Sequence, residues 1–332
     1  MKTVLITGVP GWLTEAFLDS LAKEPLHDLP RVRCLVQRGG PSAVTLQRRY
    51  PSDYEYFTGD LLDPESLVPA LEDVTAVLHA AGIIHVRRTA DWYRVNWQGT
   101  TNLLNAAAAA GVRRFVYISS NAAGGRSRTR HALLIEADPP HPISHYGRSK
   151  LLAEQAVRAF AGRLEGVVLR PCMFYGPPVP SRHVEVYRRV RTGRIPLVGS
   201  GEYARSLTHI SHMVQACRLA LTHPAAAGQT YYVADEPVYT TRMIMKAMAE
   251  ALGVRLRCIR LPAVTATLAL AADLLLARLG IYWQTLHLLG EANWHVGVSC
   301  EKAKTELGYR PTVTLREGMR EAVEWCRAHG LL

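Results

Sequence analysis

Apolar residues in the first half of the chain fall into short runs separated by helix-period segments. The runs are TVLIT (3–7), RVRCLV (31–36), YEYFTG (54–59), VTAVLHA (74–80), RRFVYIS (113–119) and GVVLR (166–170). Between most of them the apolar positions recur at the helical period, as in 91–110 and 144–161. Strands alternating with helices predict a parallel sheet covered on both faces, an α/β fold of the Rossmann-type doubly wound kind. Ligands in such a sheet sit at the carboxyl ends of the strands. Pro171, Pro177, Pro178 and Pro180 then break the pattern, and a smaller, mixed region follows. The expected division is 1–170 and 171–332, with segments around 205–236 returning to the first part. No internal repeat or low-complexity tract occurs.

Composition narrows the class. Of 332 residues, 48% are apolar and 20% charged, as in ordinary globular proteins. The chain opens directly on a strand pattern, so no leader is expected. Six cysteines, at 34, 172, 217, 258, 300 and 326, form no CxxC pair. They suggest neither zinc nor a disulfide framework, and a cytoplasmic location is expected. The net charge of +11 is spread along the chain without a basic stripe or interleaved aromatics, so no nucleic-acid partner is expected. The longest apolar stretch, Ala263–Ala272, is too short to span a bilayer. Segment 263–279 is expected to be a helix over or beside a substrate pocket, without stable membrane insertion. The expected partners are a small-molecule substrate and a second copy of the chain.

The stretch TGVPGWLT follows the first strand. Gly8 stands where the chain must turn, and Gly11 lets backbone approach a pyrophosphate at a helix N-terminus. Pro10, Trp12 and Leu13 complete this loop. Thr14 occupies the place of a third glycine and brings a β-branched side chain where close packing is needed. TGDLLD ends the third strand with Asp60 and Leu61, and Asp60 is placed to accept from an adenine amino group. Ala80, Ala81 and Gly82 end the fourth strand with small residues. Asn96 begins the next helical run. Each of these also has a purely structural reading: Asp60 as a cap, Asn96 as a tie between loops.

HYGRSK, 145–150, carries the candidate chemistry. Tyr146 and Lys150 stand four apart on a helix and share a face. A neighbouring ammonium is expected to lower the Tyr146 pKa from about 10 and make it a general acid or base near neutral pH. ISSN (118–121) ends the fifth strand. Ser120 is placed to hold a substrate oxygen while Tyr146 exchanges its proton, with Asn121 beside it and Ser119 a cofactor contact.

Together TGVPGWLT, GDLLD, HAAG, VNWQGT, YISSNAAGG, YGRSK, LRPCMFYGP and KAKTELGYRP resemble an extended short-chain dehydrogenase/reductase over nearly the whole chain. The resemblance implies a nicotinamide cofactor and a catalytic triad of Ser120, Tyr146 and Lys150. Lys150 would also hold the nicotinamide ribose, with Asn96 beside it, and Pro171 and Met173 are further cofactor contacts. Nucleotide-sugar members usually carry Asn where this chain has Met173. Arg205 matches an arginine that those members place on a diphosphate, with a salt bridge as its plain alternative. The apolar segment after 262 looks more like the 3β-hydroxysteroid dehydrogenase branch. The favoured reading is an alcohol/ketone oxidoreductase on a sterol-like or other apolar substrate. The alternatives are a nucleotide-sugar epimerase or dehydratase with transient hydride transfer, and a non-catalytic dinucleotide sensor or scaffold.

The second strand runs into Gln37, Arg38, Gly39 and Gly40 without an acid to bind ribose hydroxyls. Arg38 offers a fork of donors suited to a 2′-phosphate, which favours NADP and leaves NAD usable. Tyr175 is a candidate pocket residue or a core tyrosine. The basic loop Arg126–His131 is a candidate anion contact or a solvated face. The pairs His141/His145 and His209/His212 lack a third ligand, and no metal is expected.

Overall fold

The computed structural model describes residues 2–39, Leu46, Tyr50 and 54–332; Gly40 of the predicted second-strand end lies outside them. Strands in chain order are β1 (Thr3–Val9), β2 (Arg31–Gln37), β3 (Glu55–Gly59), β4 (Val74–His79), β5 (Arg114–Ile118), β6 (Glu165–Pro171) and β7 (Met173–Tyr175). Then follow β8 (Ile195–Val198), β9 (Ala204–Arg205), β10 (Leu207–His209), β11 (Thr230–Val233), β12 (Tyr239–Thr240) and β13 (Cys258–Leu261).

Seven strands form one parallel sheet in the order β11-β6-β5-β4-β1-β2-β3. Chain order runs outward from β1 to one edge and from β4 towards the other, so the connection reverses between β1 and β4. That reversal opens a crevice at their carboxyl ends. β5 is buried along its whole length and β4 nearly so, which is why both read as continuous apolar runs rather than alternating ones. Helices Trp12–Lys23 and Ile210–Thr222 share the core on one face. Helices Thr100–Ala109 and His145–Ala159 share the core on the other.

The later part of the chain does not stay apart from this sheet. β11 lies at its edge beside β6, and Cys300, Ala303, Leu307 and Tyr309 join the same core as β1. A separate core gathers helices Ser181–Arg191, Thr241–Leu252 and Leu315–Ala328. Three two-stranded pairs, β10-β7, β12-β9 and β13-β8, connect the rest. The apolar segment folds as helix Val264–Arg278, followed by helix Gln284–Gly290 packed against it.

The helical run predicted over 91–110 is not uniform. Thr89–Trp92 is α-helical, Tyr93–Gly99 is a π-helix and Thr100–Ala109 is α-helical again. Such widened turns concentrate at functional sites. Here the turn carries Asn96, and Thr100 Oγ1 donates to the Asn96 carbonyl at 2.7 Å.

Candidate active site at the sheet switch point

β1 delivers Gly8 into the crevice with φ of +86°, a conformation that favours glycine. A Cβ there would stand 2.7 Å from the Ala81 nitrogen, and one at Gly11 would stand 2.6 Å from the Gly8 oxygen. Both glycines therefore keep open a backbone cradle that a side chain would fill. The N-cap, Gly11, has no side chain to cap the amides that follow it in helix Trp12–Lys23, so those remain available to an anion. Thr14 answers its own packing problem. Its buried hydroxyl donates to Gly8 O at 2.9 Å and accepts from Gly11 N at 2.9 Å, so it braces the loop from within. Leu13 is buried in the core, while Trp12 packs on Phe174 and His183 with ring centroids 5.9 and 4.7 Å apart. Pro10 is exposed at the loop tip.

β4 delivers Ala80, Ala81 and Gly82 against that loop. Ala81 N donates to Thr7 Oγ1 at 3.2 Å. Thr7 Oγ1 meets His79 Nδ1 at 2.7 Å, and His79 Nε2 meets Thr100 Oγ1 at 2.9 Å. Burial lowers the His79 pKa to about 3, with Lys150 adding to the shift, so this chain of polar groups is neutral at physiological pH. Asn96 acts as a tie. Its Oδ1 accepts from Ile83 N at 2.8 Å, and its Nδ2 donates to Ile83 O and Ser149 Oγ at 3.0 and 3.2 Å. It thus joins the loop after β4 to the helix carrying Tyr146.

Helix His145–Ala159 is capped by Ser144, whose hydroxyl accepts from Gly147 N at 3.1 Å. A Cβ at Gly147 would overlap Ala122 O, so the glycine after Tyr146 lets this helix seat on the turn carrying Ser120. The Ser120 hydroxyl lies near enough to the half-buried Tyr146 to influence its ionisation. Ser120 Oγ also accepts from Ala122 N at 3.2 Å and stands 3.5 Å from Asn121 Oδ1. Ser120 and Tyr146 therefore stand together, with Lys150 one turn further along the helix of Tyr146.

The electrostatics differ from the sequence expectation. Burial raises the Tyr146 pKa, and Ser120 offsets part of that rise. Lys150 does not reverse it, because its ammonium is directed elsewhere. Nζ donates to Ile118 O at 2.7 Å and lies 4.5 Å from the centre of the Tyr117 ring. Burial lowers the Lys150 pKa itself to about 7, with Glu154 opposing the shift. A buried lysine whose charge is disfavoured is a weaker electrostatic partner than the full ammonium that the spacing suggests.

The remaining predicted contacts take the following places. Ser119 is buried and donates to Glu154 Oε1 at 2.6 Å, beneath the crevice rather than in it. Tyr175 takes the core alternative rather than the pocket one: it is buried and donates to the buried Asp235 at 2.6 Å. Asp60 Oδ1 accepts from Leu62 N at 2.8 Å as a local cap, and Leu61 is buried with its carbonyl accepting from Asn102 at 2.8 Å. Pro171 is buried at the end of β6, and Met173 is exposed. Gln37 is exposed, and Arg38 Nη2 meets Asp63 Oδ2 at 3.2 Å at the surface. Arg205 is committed to the hairpin, with Nη2 donating to Glu291 O at 2.6 Å.

The histidines are also accounted for. His212 accepts from Val313 N on Nε2 and lies 2.7 Å from Asp235 on Nδ1, and His209 Nδ1 meets Ser211 at 2.7 Å. His145 Nδ1 meets Tyr93 OH at 2.8 Å, and the His141 ring lies against Pro139 and Arg126 carbonyls. Among the described residues no group of three or more His, Cys, Asp or Glu is placed to hold a metal. The basic loop is stitched down by Ser127, which exchanges hydrogen bonds with Gly297 at 2.9 Å. Clefts of about 680 and 510 Å³ adjoin this loop, and neither is lined by Tyr146 or Lys150.

Sequence reasoning missed two groups beside the site. One is the pair of buried charges Glu154 and Arg170. The other is a cluster of packed aromatic rings around the buried Trp92. Trp92 lies 6.1 Å from the Tyr146 ring and 4.6 Å from Tyr282, which comes from the linker between the two hairpin helices. A tryptophan and a tyrosine 190 positions apart give no local signal of this contact.

Residues 4–234 match the model of the NAD dependent epimerase/dehydratase family. The chain belongs to that family. Its members among the relatives do different chemistry at similar distance. The uncharacterized protein y4nL of Sinorhizobium fredii (strain NBRC 101917 / NGR234) is 36% identical, over 98% of this chain and 96% of the relative. UDP-glucose 4-epimerase of Vibrio cholerae is 26% identical, over 97% and 95%. The 4-hydroxy-2-methyl-3-oxo-4-farnesyl-3,4-dihydroquinoline-1-oxide ketoreductase of Stigmatella aurantiaca is 27% identical, over 96% and 95%. The family and its place among extended short-chain dehydrogenases/reductases make this chain a nicotinamide-dependent enzyme of the epimerase, dehydratase and reductase group.

Proposed function

We propose that this chain interconverts a secondary alcohol and a ketone on a largely apolar substrate. The observation that carries the reading is the packing of Trp92 and Tyr282 beside Tyr146, which puts aromatic rings rather than polar groups next to the reacting hydroxyl. Met173, where sugar-nucleotide members usually carry Asn, and Arg205, already bound to the Glu291 carbonyl, support it. So does the likeness to a ketoreductase whose named substrate carries a farnesyl chain.

The glycine cradle and uncapped amides fit a dinucleotide pyrophosphate, and Lys150 near Gly82 fits a ribose. When bound, the cofactor supplies hydride exchange at its nicotinamide. The chain supplies position and protons. Ser120 orients the substrate oxygen. Tyr146, protonated at neutral pH, donates its proton to the oxygen of a ketone, and its phenolate accepts one from an alcohol in reverse. Lys150, Asn96 and Thr14 hold the loops that form the crevice. We read the cofactor as NADP rather than NAD, because Arg38 is exposed at the end of β2 with no acid in that strand end.

The second reading, a nucleotide-sugar epimerase or dehydratase, is supported by the similar likeness to UDP-glucose 4-epimerase. Incubation with long-chain or sterol-like ketones and reduced cofactor distinguishes the two. Net loss of reduced-nicotinamide absorbance, abolished in Tyr146→Phe with cofactor affinity retained, is expected. Conversion of UDP-glucose to another sugar nucleotide without absorbance change would transfer the assignment to the second reading.

A further inference from the structure

Helix Val264–Arg278 is built inside out. Its buried positions are Ala266, Ala269 and Asp273. Its outward stripe is Val264, Leu268, Leu275 and, one residue beyond, Leu279, which are 57%, 65%, 61% and 69% exposed. Those spacings put all four on one helix face, opposite the buried one. The inward face is held by polar and close contacts. Asp273 Oδ2 lies 2.7 Å from His287 Nδ1 on the second helix, and a Cβ at Gly290 would come within 3.0 Å of the Leu270 backbone. The hairpin is therefore fixed from within, and its leucines face outward for a reason other than packing.

The apolar surface continues past the helix. Ile281 and Trp283 are 47% and 60% exposed. The loop after β4 lies beside them, with Arg88 bridged to Ile281 and Thr89 N donating to Gly280 O at 3.1 Å. That loop adds the exposed Ile84.

The exposed charge on the hairpin and on the loop beside it is cationic, and the acids at its margins, Asp91 and Glu291, are paired with Arg94 and His287. From Ile259 to Leu289 the sole acidic residue is Asp273, which is buried. Arg87, Arg88, Arg260 and Arg278 are exposed, and among the described residues none of the four has an acidic partner. A second copy seated on this face would bring two cationic rims together. An anionic sheet of headgroups over hydrocarbon complements both the rim and the leucines. No helix among the described residues is long and apolar enough to cross a membrane, so the contact is with a surface.

We propose that this hairpin docks the protein on anionic lipid bilayers, with Leu268, Leu275, Leu279 and Trp283 at the acyl boundary and the arginines among the headgroups. The surface adjoins Tyr282, whose ring packs on Trp92 beside Tyr146, so docking brings the membrane next to the catalytic helix. The proposal does not rest on the substrate assignment.

Flotation with vesicles of phosphatidylcholine alone, or mixed equally with phosphatidylglycerol, tests it on the full chain. Wild type should float with the mixed vesicles and be released by raised salt. Leu268→Glu with Leu275→Glu should lower binding at least about tenfold. Arg87→Gln with Arg88→Gln should lower it by about tenfold on mixed vesicles. Unchanged melting temperatures confirm that both variants fold. Wild type that stays at the bottom of the gradient with both vesicle types overturns the proposal. So does a lipid-indifferent dimer that the leucine variant converts to monomer, since the face would then belong to a second copy.

Discussion

Two helices in this molecule each bury one carboxylate, and they use it differently. Glu154, on the helix of Tyr146 and Lys150, is fully buried and gripped by Arg170 of β6 at 2.7 and 2.9 Å, with Ser119 at 2.6 Å. Asp273, in the hairpin, meets His287 at 2.7 Å, and Glu291 shares that ring at 3.2 Å. The first cation is an arginine that the pairing holds protonated, so the contact has a fixed charge across the neutral range. The second is a histidine whose charge depends on pH. The contrast separates a scaffold that must not move, under the catalytic crevice, from a hairpin whose grip is conditional.

The largest expected effect breaks the first pair. Glu154→Ala leaves Arg170 buried without its carboxylate and should cost about 3–5 kcal/mol of stability, read by denaturant unfolding. Glu154→Leu combined with Arg170→Met should recover much of the loss, because a packed apolar pair avoids the buried unpaired charge. If the single variant unfolds at the wild-type midpoint, the pair is not the anchor that its geometry indicates.

That pair also marks where sequence legibility ends. The sheet was readable because its strands are short apolar runs, and the crevice because Gly8, Gly11, Tyr146 and Lys150 sit in local motifs. Long-range polar contacts leave no such trace. Glu154 and Arg170 read as ordinary surface charges until β6 brings them to one helix. Ser119 and Tyr175 look like site residues in their motifs, yet they turn inward to Glu154 and Asp235. The spacing of Tyr146 and Lys150 was legible, but the direction of the ammonium was not, because Ile118 O and the Tyr117 ring compete for it. The hairpin helix was legible as a helix, while its inverted faces depend on Asp273 finding His287.

An intermediate effect lies at the exposed pair Arg38–Asp63, whose side chains are 65% and 42% exposed. A surface pair of this kind contributes little and yields to a competing anion. A 2′-phosphate on Arg38 should contribute about 1.5–3 kcal/mol, or one to two decades in affinity. Arg38→Ala should therefore weaken NADP binding by that factor and leave NAD binding unchanged, as read by fluorescence titration. Asp63→Ala should tighten NADP modestly by freeing the guanidinium. Equal affinity of wild type for both cofactors, unaffected by either substitution, would remove the NADP assignment.

The smallest effect tests the conditional grip itself. Burial disfavours charge on His287, but the hydrogen bonds its ring donates to Glu291 and Asp273 together outweigh it and raise the pKa from 6.5 to about 9. A raised pKa means that the folded state holds the proton more tightly than the unfolded state does. The resulting stability is fully present below about pH 6.5 and is lost as pH rises through about 9. Solvent at Glu291 screens the pair, so its size stays well below the ~3 kcal/mol that the unscreened shift would carry. Lys150 works in the opposite sense: its lowered pKa makes stability rise with pH between about 7 and 10.5, so a global melt mixes the two slopes. Hydrogen exchange confined to Val264–Gly290 separates them. Protection of the hairpin should fall between pH 6.5 and 9.5 in wild type. In His287→Gln it should be low at pH 6.5 already and show no step, with the sheet unaffected. A step of equal size in both proteins would mean that another group titrates the hairpin, and the contrast with Glu154 would rest on geometry alone.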